Sequence, residues 1–296
     1  MNPVSLFDLR TAVDGVLTTF RNQLTGVADA PGLPTGIPEI DAFTNGLKPG
    51  KLFVISARPS MGSSTLMLNI TEHICVDRKI PSLVVSCDLD AAEITRRLIF
   101  SRGRVEDRQF DADHLPTDLE LTRVNRAANE LRAAPLTVED ANSISVEALC
   151  AMARRLHGEG KVGFIAIDHL QRLKSDSFAA AGGSRRETAE ILSCLKSLTR
   201  ELRVPILIIA GMTRGTDRRT GKNLGIPRIS DLRHRKAIWS HADWIGLLYR
   251  EAFYRDGPDE EDEGDPAHLL VGSREYLERD VKLAFHHRTR RFAGAR

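Results

Sequence analysis

The chain has 296 residues, 42% of them hydrophobic and 28% charged, with a formal net charge of +2. These figures suit a soluble protein built on one large domain, with or without an appendage, and whole-chain charge selects no partner. The cysteines at 75, 87, 150 and 194 form no CxxC pair, which argues against a zinc site and fits a reducing cytosol; acidic Asp8 and Asp14 argue against a signal peptide, and no apolar run approaches the ~20 residues of a membrane helix.

In chain order, Leu6, Leu9, Val13, Val16, Leu17, Phe20 and Leu24 follow three/four spacing, and Ser5 with Asp8 resembles a capping box, which predicts an N-terminal helix. A Gly/Pro/Ala stretch over 26–32 reads as a linker. From residue 51, short apolar runs alternate with helical stretches. The runs are Lys51–Ala57, Ser82–Cys87, Leu136–Val138, Val162–Asp168, Pro205–Gly211 and Trp244–Tyr249, and helices are expected to begin near Ser63, Ala91, Leu119, Ser145 and Arg186. Most runs are apolar throughout, as in strands covered on both faces of a parallel sheet. The expected fold class is therefore α/β, a three-layer domain with a mostly parallel central sheet. Leu269–Val271 and Val281–Phe285 suggest an antiparallel hairpin near the end. The acidic stretch from Asp256 to Asp265 reads as a solvated loop.

The first strand runs into Arg58, Pro59, Ser60, Met61, Gly62, Ser63, Ser64 and Thr65, and then a helix. Strand, tight loop and helix form the context in which backbone N–H groups receive phosphate. Against the pattern G-x-x-x-x-G-K-[ST], Ala57 holds the first glycine position, Gly62 the second, and Ser64 the hydroxyl that binds Mg²⁺. Ser63 stands where the pattern has lysine. Serine can hydrogen-bond phosphate but carries no charge, and losing one such stabiliser typically costs about 10²–10³ in rate. As a bare pattern this is a failed match, and an ordinary Ser/Gly turn stays open.

The wider string is more specific. Thr35-Gly-Ile-Pro-Glu-Ile-Asp41, Gly46-Leu-Lys-Pro-Gly50 and Ser56-Ala-Arg-Pro-Ser-Met-Gly62 resemble TGxxxLD, GLxPG and AARPSMGKT of the DnaB-type replicative helicases. Phe164–Gln171, Leu195–Pro205, Ser230–Arg233, Ala242-Asp243, Leu248–Arg250 and Val281–Phe285 follow in the family's order. The resemblance spans roughly 33 to 292. It implies a RecA-like P-loop domain over 33–296 preceded by a linker-type helix over 1–32, with ATP and Mg²⁺ as cofactors. It also implies single-stranded DNA as partner, a ring hexamer of like chains or a mixed assembly with a DnaB-type helicase, and a cytoplasmic setting. The family's primase-binding N-terminal helical domain is expected to be missing.

By the same resemblance Asp168, at the end of an apolar strand, holds the Mg²⁺ hydration shell. Asp88 takes the place of the family's water-orienting glutamate, one methylene short; a displacement of about 1 Å can cost 10²-fold. A helix-capping role for Asp88 ahead of Ala91 stays equally open. Gly211 replaces the glutamine that senses the terminal phosphate. On the late hairpin that reaches into the neighbouring subunit's site, Gly272 replaces a lysine and Arg274 retains the arginine, although a role-free surface arginine is an even alternative. Lysine from elsewhere (Lys51, Lys161 or Lys236) is a candidate to restore the missing charge. Departures at four chemically distinct roles imply weak nucleotide binding and little hydrolysis.

Between Arg214 and Lys236 eight basic residues face two acids, a net +6. The resemblance places Arg218, Arg219 and Lys222 on one DNA-channel loop and Arg185 and Arg186 at the end of another, Ser175–Arg186. Flexible basic loops suit sequence-independent grip on phosphates. His234-Arg235-Lys236 adds charge where the family has little. The stretch from His286 to Arg296 carries Arg288, Arg290, Arg291 and Arg296 with no acid and reads as a further phosphate contact. The apolar stripe of the first helix fits docking on a neighbouring subunit or packing on its own domain equally well. Three readings follow: a degenerate helicase-like core binding DNA, an active ATP-dependent helicase with unusual catalytic residues, and a module that modulates a helicase at its subunit interface.

Overall fold

A computed structural model describes residues 31–107, 116–178, 184–215, 219, 225–254, 264–273 and 279–295, together with Leu9, Arg10, Val13, Asp14 and Leu17, which are helical. Among the described residues nine strands form one sheet in the order β3-β2-β4-β5-β1-β6-β7-β8-β9. They are β1 (Leu52–Ala57), β2 (Ser82–Ser86), β3 (Leu136–Glu139), β4 (Phe164–Asp168), β5 (Ile206–Gly211), β6 (Trp244–Arg250), β7 (Asp265–Ser273), β8 (Arg279–His286) and β9 (Arg291–Gly294). The first six are mutually parallel and the last three antiparallel. Every residue of β1, β2 and β4 is buried, which is why their apolar runs do not alternate.

Helices cover both faces. The helices are α1 (Pro38–Thr44), α2 (Ser63–Glu72), α3 (Ala91–Gly103), α4 (Asp118–Arg132), α5 (Val146–Gly158), α6 (Arg185–Leu202) and α7 (Arg235–His241). Leu149, Leu192 and Ile238 pack one face of the sheet through α5, α6 and α7; Ile40, Leu66 and Ile94 pack the other through α1, α2 and α3. The expected three-layer α/β architecture and the late antiparallel hairpin are both present.

Helix starts follow side-chain capping. Asp90 accepts from Glu93 N at 2.7 Å to open α3, Ser184 accepts from Glu187 N at 3.0 Å to open α6, and Thr117 with Glu120 forms a full capping box on α4. The cap of α3 is thus Asp90, which relieves Asp88 of that duty.

Several landmarks of the sequence are structural. Thr35 N donates to Asp41 Oδ1 at 2.8 Å, which accounts for the Thr-Gly…Asp pattern. At the N-terminal ends of the strands Asp243 accepts from Leu52 N at 2.8 Å and pairs with Lys196 and, at 3.3 Å, with Lys51. These contacts fasten α6 and β6 to β1 at the end remote from the phosphate loop.

One expectation changes. The basic stretch after His286 is not a free tail: Arg291–Gly294 adds the ninth strand, and Arg291 Nη1 donates to Glu72 Oε2 at 2.9 Å. Glu72 has no exposed surface, so this arginine neutralises a buried charge instead of waiting for phosphate. In the basic segment 234–236, His234 stands at the N-cap of α7 and Arg235 and Lys236 are its first two residues.

Candidate functional site

The C-terminal ends of the parallel strands converge where β1 separates β5 from β6, the crevice in which open α/β sheets place their sites. A cavity of about 1100 Å³ lies there. Its wall holds the loop after β1, the ends of β4 and β5, and the turn between β8 and β9.

The loop has the shape of an anion cradle. Ser60 (φ 68°) and Gly62 (φ 93°) adopt the left-handed conformation, which turns the chain sharply into α2. A side chain at Gly62 would meet the Phe292 ring at 3.1 Å, so glycine is also required by close approach. Ala57, Arg58, Pro59, Ser60, Gly62, Ser63, Ser64 and Thr65 all line the cavity, whereas Met61 is 1% exposed and anchors the loop in the core. At the start of α2 the free N–H groups and the helix dipole face the cavity.

Asp168 ends β4 and is 3% exposed. Burial pushes its carboxyl above the usual carboxylate range, and a hydrogen bond from the Ser64 hydroxyl opposes that shift. A buried carboxylate paired to a hydroxyl at the helix start suits a cation held largely by substrate phosphates and water, which is how Mg²⁺ is usually bound. Among the described residues no cluster of three or more His, Cys, Asp or Glu offers a self-contained metal cage. Because the folded state raises this pKa, holding the charge costs stability at neutral pH, and stability from this group rises as pH falls. Asp168→Asn is accordingly expected to raise Tm by roughly 2–4 °C while removing any Mg²⁺ dependence of nucleotide binding. Calorimetric melting and titration with and without Mg²⁺ check both halves.

Asp88 lines the same cavity from the end of β2. Its carboxylate lies 3.3 Å from His169 Nε2 and 3.0 Å from Arg172 Nε. Gln171 Oε1 accepts from Gly211 N at 2.9 Å and sits 2.9 Å from His169 Nδ1. The acid, His169 and the glycine at the end of β5 are thereby linked through one side-chain chain. A Cβ on Gly211 would meet nothing nearer than Gln171 Oε1 at 3.5 Å, so a larger side chain has room.

Arg250, which belongs to a family landmark but carries no role in the sequence reading, braces the phosphate loop. It is 5% exposed, donates through Nη2 to Ser60 O at 2.7 Å, and lies 4.2 Å from the centre of the Phe285 ring. No sequence signal marks this contact, because 190 residues separate it from Ser60.

The three lysines considered as substitutes stand elsewhere. Lys51 pairs with Asp243, Lys161 with Glu159 at 2.8 Å, and Lys236 is exposed on α7. No lysine lines the cavity among the described residues; six arginines do (Arg58, Arg97, Arg233, Arg250, Arg288 and Arg290).

Of the residues expected to meet DNA, Arg185 and Arg186 are exposed at the first turn of α6. Arg219 is turned inward: Nη2 donates to Asp231 Oδ1 at 2.8 Å and Nη1 to the Ile226 carbonyl. Arg218, Lys222 and Arg274 lie outside the described residues.

Comparison with known proteins gives concordant findings. The model of the DnaB-like helicase C terminal domain matches residues 32–294. The chain is similar to the replicative DNA helicase DnaB of Leifsonia xyli subsp. xyli (strain CTCB07), 30% identical over 263 residues that cover 88% of this chain and 56% of that protein. It is also similar to the replicative DNA helicase DnaB of Nostoc sp. (strain PCC 7120), 34% identical over 72% of this chain and 23% of that one. It thus spans about half the length, or less, of these relatives. Among solved structures, a DnaB-like replicative helicase, described together with its interactions with primase, superposes with a TM-score of 0.84 at 23% identity, covering 96% of this chain and 66% of that one. A KaiC-like protein from Pyrococcus horikoshii OT3 shares the RecA-like fold at a TM-score of 0.55 and 16% identity, covering 89% of this chain and 98% of that one.

Proposed function

Because the chain belongs to the DnaB-like helicase C-terminal domain family, we propose that it is a DNA-replication core that binds single-stranded DNA and nucleotide but hydrolyses ATP poorly. One observation carries the reading: the cradle keeps its backbone shape and its Ser64–Asp168 pair, yet no lysine among the described residues reaches it. Backbone N–H groups of the loop and the start of α2 would receive the phosphates. Ser64 and Asp168 would hold Mg²⁺, which would neutralise negative charge on the phosphates of the bound nucleotide. Without a mobile ammonium at position 63, charge that develops late in phosphoryl transfer goes unmatched. Asp88, shorter than glutamate and bridged to His169 and Arg172, is poorly placed to orient water. Titration calorimetry with MgADP and a non-hydrolysable ATP analogue tests the binding half; heats at the level of dilution for both would refute it.

The DNA half rests on exposed basic residues at α6. Arg185 and Arg186 sit at the positive end of the helix dipole, where cations are unfavourable unless an anion answers them. Arg185→Ala with Arg186→Ala is expected to lower affinity for oligo(dT) and to reduce the slope of log K against log salt by roughly 1.4, at about 0.7 per single-strand contact. Fluorescence anisotropy at several salt concentrations measures this; an unchanged slope would remove both residues from the interface.

A second reading, that the chain acts through a subunit interface in a ring of its own copies or in a mixed ring, is favoured by one feature. Leu9, Val13 and Leu17 lie at four-residue spacing on a helix and are 76%, 46% and 47% exposed. Light scattering alone and with a full-length DnaB-type helicase separates a self-assembled ring from a mixed one. No described helix is long and apolar enough to cross a membrane.

A further inference from the structure

Beyond Asp168 the chain leaving β4 buries a serine. Ser175 is 1% exposed, and its polar groups are all engaged. Its hydroxyl donates to Glu147 Oε1 at 2.9 Å, its N–H donates to Glu187 Oε1 at 3.3 Å, and its carbonyl accepts from Phe178 N at 3.0 Å. The two carboxylates belong to different helices. Glu147 lies in the first turn of α5 and also accepts from Asp176 N at 3.2 Å. Glu187 is buried in the first turn of α6, behind the Ser184 cap. The backbone reinforces the α5 side: Val146 N donates to Lys174 O at 2.8 Å and Lys174 N to Ile144 O at 3.1 Å.

The helix dipole favours a carboxylate in the first turn, and each donor it gathers favours the charged form further. Burial pushes the Glu147 carboxyl up, but hydrogen bonds from its own N–H, from Asp176 N and from Ser175 outweigh burial and hold it below the usual carboxylate range. Glu147 and Glu187 thus form an anionic clasp with Ser175 between them. Arg185 and Arg186 stand in the same turn as Glu187, exposed at the end of the helix where the dipole opposes cations. Burial, then Arg233, then Arg185 lower the pKa of His234 at the N-cap of α7, so basic side chains crowd around the start of α6. Their mutual repulsion works to loosen this turn. Glu187 ties it back to Ser175 and, through Ser175, to α5.

We infer that Ser175 is a positioning residue for DNA binding: clasped by Glu147 and Glu187, it fixes the first turn of α6 so that Arg185 and Arg186 are presented in one arrangement before nucleic acid arrives. The inference rests on the DNA-binding reading above and adds to it the group that presents the two arginines. Ser175 is buried and touches no nucleic acid itself. Its effect is on conformational entropy, because a turn already held in place does not have to be ordered on binding.

The test is fluorescence anisotropy of oligo(dT) over a salt series with the full chain, Ser175→Ala, Glu147→Gln, their double variant, and Arg185→Ala with Arg186→Ala. Circular dichroism sets a temperature at which every chain is folded. Ser175→Ala removes the hydroxyl donor; Glu147→Gln replaces one acceptor oxygen by a donor. Each is expected to weaken oligo(dT) binding roughly three- to tenfold, and the double variant no further than either single one, because both remove the same contact. The salt slope is retained, since no phosphate contact is lost, and amide hydrogen exchange quickens only around Ser175 and the first turn of α6. If the arginine pair lowers the slope while Ser175→Ala and Glu147→Gln bind like the parent, the positioning role is overturned and the DNA reading stands. Exchange that quickens throughout the domain also overturns it, as the mark of a general disturbance. If the arginine pair leaves the slope unchanged, the DNA reading of α6 and this inference fall together.

Discussion

Ser63→Lys, Asp88→Glu and Gly211→Gln combined in one chain are expected to raise DNA-stimulated ATP turnover by about 10³-fold or more over the unmodified protein. All three positions line one cavity, so the substitutions act on one bound molecule. Ser63 is the first residue of α2, and a lysine there reaches over the loop to the outer phosphates. Asp88 lies within 3.3 Å of His169 and 3.0 Å of Arg172; the added methylene of glutamate carries its oxygen farther into the cavity. Gly211 has space for a side chain, with Gln171 at 3.5 Å as nearest neighbour. The effects are not additive, because groups that act on one transition state fail together. Each single substitution should therefore recover far less than a third of the logarithmic gain. Steady-state phosphate release by the parent, the three single variants and the triple variant, with and without oligo(dT), measures this. A triple variant no faster than its parent would show that the loss lies elsewhere.

The second large effect concerns the scaffold behind the loop. Glu72 ends α2, is fully buried, and accepts from Arg291 at 2.9 Å and from Arg102 at 3.2 Å. Arg102 continues to Asp77 at 2.8 Å and to Glu130 at 2.6 Å, so α2, α3, α4 and β9 meet at one ionic node. Asn69, one turn earlier, accepts from Phe292 N at 2.9 Å and donates to Ser101 Oγ at 3.2 Å. Glu72→Ala leaves Arg291, itself mostly buried, without its counter-charge. Breaking a buried pair by removing one partner typically costs about 3–5 kcal/mol, which corresponds to a Tm fall on the order of 10 °C. Glu72→Met with Arg291→Met removes both charges and should regain much of that loss. Since Phe292 packs against Gly62, nucleotide affinity should fall with Glu72→Ala as well. Chemical denaturation of the three chains checks the order of stabilities; a Glu72→Ala chain within about 1 kcal/mol of its parent would exclude the node as a main support.

Much of the architecture is legible because burial writes itself into composition. Runs such as Leu52–Ala57 and Phe164–Asp168 are apolar at nearly every position since both faces of the sheet are covered. The helix starts come out close because capping is local: Ser145 and Ser184 open α5 and α6. What the sequence does not reveal is long-range pairing. Arg291 reads as one charge in a basic run, and only the fold brings Glu72 to it from 219 positions away. Arg219 sits in a basic loop, yet Asp231 and the Ile226 carbonyl draw it inward. Arg233 and Arg250 look like family punctuation in the sequence; in the fold one is a cation on the cavity wall with no carboxylate beside it among the described residues, and the other a brace for Ser60. Asp88 stays open between two roles in sequence, and the fold separates them because Asp90 caps α3. The loop itself is readable residue by residue, because strand, turn and helix are contiguous there.

The same geometry gives the departures a common direction. The cradle and the Ser64–Asp168 pair persist, and on the proposed reading these are the groups that would hold a nucleotide. The groups altered at positions 63, 88 and 211 are those that would act on it during transfer. A site altered in this way can follow nucleotide state without spending it quickly.

The most direct measurement is steady-state phosphate release from MgATP by the unmodified full chain, at saturating nucleotide, with and without single-stranded DNA. The expected result is a rate close to that of buffer and no stimulation by DNA. Rapid, DNA-stimulated release on the scale of a working helicase would contradict the reading of a cradle that holds nucleotide but lacks the groups to cleave it.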